Sequence, residues 1–368
     1  MILQRIVIKL GTSTLTAGTG HLNRQRMLEI IQQIAALHQN GHEVILVSSG
    51  AQAAGRERLD FPGLSRTVPA RQMLSAIGQS HLMRIYNDLF DIFEIVVAQI
   101  LLTRDDLSQR NRYLNARDTL QTLLDKRIIP IINENDTVAT EEIRVGDNDN
   151  LSALVASAME ADLLLMLTDQ PGLFTADPRQ NPDASLIEVI SEIDESVYAL
   201  AGGAGSSNGT GGMVTKLQAA QVATRSGVET IIASGTVEQV ILRLMRGEKS
   251  GTRFEAIGTH LESRKRWLLT DRTEGTLIID AGAVKALQAK NGASLLPVGI
   301  TAVRGNFRRS ATLAIQTPDG REIAHGISNY DSVALAQIKG QKSACIHEVL
   351  GVSYGDTVIH RNNMVLLK

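Results

Sequence analysis

The chain has 368 residues, 37 Lys+Arg against 39 Asp+Glu and a formal net charge of -2, which allows two domains with a sizeable core and shows no overall bias toward a polyanionic partner. No apolar run reaches the roughly 18 residues of a membrane-spanning helix, so no membrane partner is expected. A single cysteine, Cys345, rules out an internal disulfide or a cysteine-based metal site, and the eight histidines are scattered; the composition fits a reducing cytoplasm, and no residue is put forward as a metal ligand.

Residues Arg5 to Ser13 predict a strand running into a glycine turn. The apolar run is short, β-branched and continuous, the pattern of a strand buried on both faces. Lys9 stands at its C-terminal end beside Gly11, Thr12 and Ser13, which can bring N–H groups and hydroxyls to phosphate oxygens. A lysine at a strand end is also a common solvated charge. Met27, Ile30, Ile31, Ile34 and Leu37 recur at helical spacing, and Gly41 ends that helix. Glu43 to Val47 predicts a second strand leading into Ser48-Ser49-Gly50-Ala51, which closes a βαβ unit with a second small-residue loop. Helices are expected over residues 72–90 and 115–124, and strands over 95–102 and 128–132.

That last strand opens a polar window from Asn133 to Ala153. It holds Glu134, Asp136, Asp147 and Asp149 with Asn133, Asn135, Asn148 and Asn150. Asn150 is the expected N-cap of a helix carrying Leu151, Leu154, Val155 and Ala158. A buried strand, a loop and a helix N-terminus together form a usual ligand position in an open α/β sheet. Asp accepts from an ammonium group, and Asn also donates to a carboxylate. A small zwitterion needs both, although Asn, Asp and Gly also dominate plain surface turns.

Leu163 to Leu167 predicts another buried strand, ending at Thr168-Asp169. Gly202 to Gly212 contains only Gly, Ala, Ser, Asn and Thr. It is a flexible linker, or a loop delivering Met213-Val214-Thr215-Lys216 to a helix N-terminus. There, N–H groups, the helix dipole and an ammonium would converge on phosphate. Glu229 to Ala233 closes the alternation, which implies an α/β fold with a three-layer, mainly parallel sheet.

The texture changes toward the C-terminus. Residues 1–261 carry 23 Lys+Arg against 30 Asp+Glu, whereas residues 262–368 carry 14 against 9. Short runs such as Thr276 to Ile279 and Thr312 to Gln316, separated by turn residues, predict a small β-rich domain over 275–368. The expected division is 1–258, a linker at 259–274, and 275–368. The basic balance of the last part suits a nucleic-acid module or an ordinary solvated surface.

Two lysines at element ends, two small-residue loops and an Asn/Asp cluster suit phosphoryl transfer. There is no evident Ser-His-Asp set. A carboxylate acceptor needs none, because it is ionised at pH 7.

The motifs Lys9-Leu10-Gly11-Thr12-Ser13, Ser48-Ser49-Gly50-Ala51, Asn133-Glu134-Asn135-Asp136, Gly146 to Ala153, Leu167-Thr168-Asp169 and Gly209 to Lys216 together resemble the glutamate 5-kinase family of the amino acid kinase superfamily. Asp280 to Ala283, Gly292 to Ile300, Gly305-Asn306-Phe307 and His360 to Met364 resemble a PUA domain, a small β-rich barrel. The resemblance implies that Lys9 and Lys216 contact ATP phosphates and stabilise the transition state, and that Asp149 orients them. It implies L-glutamate binding by Ser49, Asp136 and Asn148. It implies ATP binding by Lys9, Thr168, Asp169, Thr210, Gly211, Gly212, Met213, Val214, Thr215 and Lys216, with Mg2+ as cofactor. The implied product is L-glutamate 5-phosphate, in the first step of proline synthesis, made by a cytoplasmic homo-oligomer that proline inhibits. The competing expectations are a kinase of the same fold acting on another amino acid or a nucleotide, and an RNA-binding protein of the PUA type.

Overall fold

The computed structural model describes residues 3–59, 67–139, 147–178, 180–201, 211–259, 273–289 and 292–367. The chain divides into two compact units, Met1–Thr259 and His260–Lys368. Most of the expected linker, including Glu262 to Trp267, lies outside the described residues, as does Thr210.

In the first unit strand and helix alternate. The order is β1 (Arg5–Leu10), α1 (Thr12–Thr16), α2 (Arg24–Gln39), β2 (Glu43–Ser48), α3 (Ala51–Leu59), α4 (Val68–Asp91), β3 (Val97–Leu102), α5 (Arg104–Ser108), α6 (Arg110–Asp125) and β4 (Ile129–Glu134). It continues with α7 (Asp147–Ala158), β5 (Leu163–Thr168), β6 (Val189–Ile190), α8 (Glu195–Leu200), α9 (Gly211–Arg225), β7 (Glu229–Ser234), α10 (Val240–Met245) and β8 (Thr252–Phe254). The sheet order is β3-β4-β2-β1-β5-β7-β8-β6. From β3 through β7 all pairs are parallel, and β8 runs antiparallel to β7.

The apolar runs form central strands because both faces are covered, and the period of two divides their side chains between two cores. Ile6, Ile8 and Leu10 pack with α2, α4 and α10 on one face. Val7 packs with α6, α7 and α9 on the other. Lys9 has the parity of Val7, so its side chain rises on the face of α7 and α9. In β4, Ile129 and Ile131 belong to the first face and Ile132 to the second, which gives Asn133 to the α4 side. β1 connects onward to β2 on one flank, whereas β5, its other neighbour, connects toward β7. The order therefore reverses between β1 and β5, and ligands of open α/β sheets sit at the C-terminal ends of such strands.

Two helices begin earlier than expected. α7 is already helical at Asp147, so Asn150 is not its N-cap; Asn148 and Asp149 occupy the first turn, where acids are favoured by the dipole. α9 is helical from Gly211, so Lys216 lies in its second turn and not at its start. Asn133 and Glu134 belong to β4 itself.

The second unit holds a five-stranded sheet. Its strands are β9 (Gly275–Ile279), β10 (Ile300–Arg304), β11 (Thr312–Gln316), β12 (Glu322–Ile327) and β13 (Met364–Leu366), in the order β10-β9-β11-β12-β13. Only the β9–β11 pair is parallel. Its own core includes Leu277, Ile279, Leu313, Ile315 and Tyr330.

Candidate functional site

Lys9 and Lys216 converge on one carboxylate. Lys9 Nζ is ion-paired with Asp149 Oδ1. Lys216 Nζ donates to Asp149 Oδ2 at 3.3 Å, and Thr215 Oγ1 donates to the same oxygen at 3.0 Å. Lys216 Nζ also donates to the Gly212 carbonyl at 3.0 Å, four residues back. Lys9, Asp149 and Lys216 are buried. Burial pushes the Asp149 carboxyl up, but the two ammonium groups and the bonds from Lys9 and Thr215 outweigh it and hold it below the ordinary range. Lys9 is lowered by burial and by its neighbour Lys216, against the pull of Asp149 and Asp169. Two cations around one anion leave the cluster one positive charge in excess, which suits an incoming phosphate.

Backbone bonds fix the loops at the strand ends beside this cluster. Gly11 N donates to Leu167 O at 3.3 Å and Ser49 N to Leu10 O at 3.0 Å, which stitches the ends of β1, β5 and β2 together. Gly50 takes φ +99 between β2 and α3, a conformation that side-chain-bearing residues rarely adopt. Thr168 Oγ1 donates to Asp169 Oδ1 at 2.9 Å, and Gly235 N donates to Thr168 O at 2.7 Å. Thr168 is buried at the end of β5 and Asp169 is exposed beyond it. Gly211 to Thr215 form the first turn of α9 above them in sequence, with Met213 packed on the second core.

Beside the lysines lies a network of amides. Asn148 Nδ2 donates to Ser49 Oγ at 3.1 Å and to Asn133 Oδ1 at 3.0 Å. Glu134 N donates to Asn133 Oδ1 at 2.9 Å and to Asn148 Oδ1 at 3.2 Å. Asn133 Nδ2 donates in turn to Gln79 Oε1 on α4 at 2.8 Å. Ser49 and Asn148, paired in the sequence reading, are therefore in direct contact. Asp136 is not bonded to either among the described residues. It lines a pocket of about 290 Å³ with Ser75, Gln79, Glu134 and Asn135. Burial raises its carboxyl above the ordinary range, while the Ser75 hydroxyl and the Arg71 guanidinium pull the other way.

Sequence reasoning did not single out Ser75 or Gln79. Both fall inside a long helix, where a polar residue carries no motif. Asn133 was visible as the polar end of an apolar strand, but nothing in the pattern showed that its amide would hold Asn148. No group of three or more His, Cys, Asp or Glu that could hold a metal ion occurs among the described residues.

Residues 4–234 match the Amino acid kinase family, and residues 275–350 match the PUA domain. The chain is 55% identical to "Glutamate 5-kinase" of Herpetosiphon aurantiacus over 362 residues, covering 98% of each chain. It is 51% identical to "Glutamate 5-kinase" of Deinococcus radiodurans over 363 residues, covering 99% of this chain and 100% of that protein. Among solved structures it is similar to a UMP kinase of Bacillus anthracis, at 18% identity and a TM-score of 0.46 over 70% of this chain and 98% of the other. It is also similar to an isopentenyl phosphate kinase of T. acidophilum, at 18% identity and a TM-score of 0.47 over 68% of this chain and 100% of the other.

Proposed function

The chain belongs to the amino acid kinase family and carries a C-terminal PUA domain, and on that premise we propose that it transfers the terminal phosphoryl group of ATP to the side-chain carboxylate of L-glutamate. The product is L-glutamate 5-phosphate, an acyl phosphate and the first intermediate of proline synthesis. The relatives at 51–55% identity over nearly the whole chain support this choice of acceptor. The observation that carries the chemistry is the buried Lys9–Asp149–Lys216 cluster at the C-terminal edge of the sheet.

A glutamate side chain has an ordinary pKa of about 4.3, so it attacks as the anion and needs no general base. The obstacle is repulsion between that anion and the nucleotide phosphates. Lys9 and Lys216 screen it, and they gain most where charge develops on the transferring group. Asp149 pairs with both ammonium groups, offsets their mutual repulsion and keeps them aimed. Thr168, Asp169 and Thr210 hold the nucleotide together with Gly211 to Lys216 at the start of α9, with helix N–H groups toward its phosphates. Ser49 and Asn148 hold the glutamate chain, and Asp136 its ammonium end. Mg2+ enters with ATP as part of that substrate, bound chiefly through phosphate oxygens and water, as this ion usually is. Inhibition by proline, assembly into a homo-oligomer and a cytoplasmic setting belong to the same reading. No helix among the described residues is long and apolar enough to cross a membrane.

The test is a coupled ADP-release assay with glutamate, aspartate, acetylglutamate and UMP as acceptors. Glutamate should give by far the highest kcat/KM. Faster turnover of any of the other three would overturn the assignment.

A further inference from the structure

Gln79 and Ser75 lie one turn apart on α4 and share one wall of the pocket whose other wall carries Glu134, Asn135 and Asp136. Ser75 is only 4% exposed. Its Oγ faces the Asp136 carboxyl yet completes no hydrogen bond of ordinary geometry among the described residues. Gln79 is half used. Its Oε1 accepts from Asn133 Nδ2 at 2.8 Å, whereas its Nε2 is buried with no partner among the described residues.

The orientation of that amide is fixed by a group that cannot turn round. Glu134 N is a backbone donor and bonds Asn133 Oδ1. Asn133 must therefore present Nδ2 to α4, and Gln79 must present Oε1 to it. The Nε2 donor is left for something else. Buried donors without acceptors are rare in folded chains and costly to leave unmade. Gln79 Nε2 has no acceptor among the described residues and the Ser75 hydroxyl has only the Asp136 carboxyl before it, so this helix face, at the wall of a pocket, invites an acceptor from outside the chain. The facing wall is acidic, so the pocket offers hydrogen-bond donors on one side and carboxylates on the other. An α-amino acid head group has the complementary pair, a carboxylate and an ammonium.

We propose that the pocket between α4 and the end of β4 seats the head group of the acceptor: Gln79 Nε2 and Ser75 Oγ receive its α-carboxylate, and Asp136 receives its ammonium. This rests on the glutamate reading above and extends it to two residues that no motif marked. Gln79 then has two tasks. One end of its amide recognises the acceptor, and the other fixes Asn133 and, through it, the Asn148 amide that bonds Ser49.

Gln79→Glu separates those tasks, because it keeps an acceptor for Asn133 and replaces the donor with a carboxylate oxygen. Glutamate binding by calorimetry and steady-state kinetics should show Kd and KM raised at least about tenfold, the loss expected for a bond to a charged group. The KM for ATP should stay within about twofold and kcat within about threefold, since the effect is confined to ground-state binding. Ser75→Ala should raise the glutamate Kd severalfold with little change in Tm, because the hydroxyl it deletes completes no hydrogen bond of ordinary geometry among the described residues. Wild-type affinity in both variants would overturn the pocket assignment, as would an equal loss for ATP. A wild-type protein that binds glutamate without phosphorylating it would overturn the proposed reaction instead, while the binding comparison still decides the pocket.

Discussion

With Asp149 replaced by Asn, the ammonium groups of Lys9 and Lys216 would share a buried space with no anion between them. Removing one partner of a buried ion pair typically costs about 3 kcal/mol or more, so Asp149→Asn should lower Tm by several degrees and leave little turnover. The Asp149 carboxyl is held below its ordinary range in the folded chain. Its stabilising contribution is therefore complete above the unfolded value and is lost as pH falls through the folded one. Acid unfolding of the wild type should show this loss, and Asp149→Asn should not. Lys216→Met tests the other partner. On the proposed mechanism it removes a charge that acts mainly in the transition state, so kcat should fall on the order of 10²-fold with a smaller change in glutamate KM. Near-normal kcat in a folded Lys216→Met protein would remove Lys216 from the mechanism. Asp136 has the opposite shift, since burial raises its carboxyl. In the role proposed for it Asp136 binds an ammonium only when ionised, so kcat/KM for glutamate should fall with acid through a limb above the ordinary Asp value of about 3.9. Asp136→Asn should be weaker at neutral pH and should lack that limb. A limb that persists unchanged in Asp136→Asn would assign it to another group.

Helix contacts govern how well these side chains are aimed. α3 starts two residues after Ser49 and crosses α4 close to Gln79. A Cβ on Gly78 would lie 1.8 Å from Ala51 O, and one on Gly55 would lie 2.1 Å from Leu74 O. The backbones touch there, so Gly78→Ala must push α3 and α4 apart. Overpacking of a close contact costs about 1–3 kcal/mol, more where backbone cannot yield. The displacement reaches Ala51 on one side and Gln79 on the other, so glutamate KM should rise along with the loss of Tm. A Gly78→Ala protein with unchanged Tm and KM would show that the crossing tolerates the shift. Such contacts are invisible in sequence, where Gly78 is one small residue in an amphipathic pattern. The central strands were legible because continuous β-branched runs such as Ile6-Val7-Ile8 have one stable use, burial between two layers. Short elements such as α5 and α8 were not, because five or six residues hold less than two helical periods. α7 and α9 both start before the residues that signal a helix end in the sequence, and for α9 the cause is local. Asn150 and Gly212 favour helix ends, yet the bonds from Thr215 and Lys216 to Gly212 O hold the first turn of α9 in place. The same limit applies at the site: loops after strands exposed Lys9, Ser49 and Thr168, while Ser75 and Gln79 had only helical spacing to announce them.

At the scale of the whole molecule, the residues proposed to carry the chemistry all fall in the first of the two units. Lys9, Ser49, Asp136, Asn148, Asp149, Thr168 and Lys216 all precede Thr259, where the first unit ends. That unit has cores on both faces of its sheet, built from its own residues. The second unit has a separate core of Leu277, Leu313, Ile315 and their neighbours. A unit that buries its own apolar surface can fold without its neighbour. Deleting residues 275–368 should therefore leave a folded protein that still phosphorylates glutamate, with kcat within about an order of magnitude of the full chain, because every group proposed to screen or position the phosphates is retained. The deletion also removes a segment richer in Lys and Arg than in Asp and Glu, so a change in response to Mg2+ or to proline is compatible with the same result. The decisive measurements are a cooperative melt and an ADP-release assay on the truncated chain. A truncated protein that melts cooperatively but has no activity would show that the C-terminal unit takes part in catalysis. One that does not melt cooperatively would show that the catalytic unit cannot fold alone.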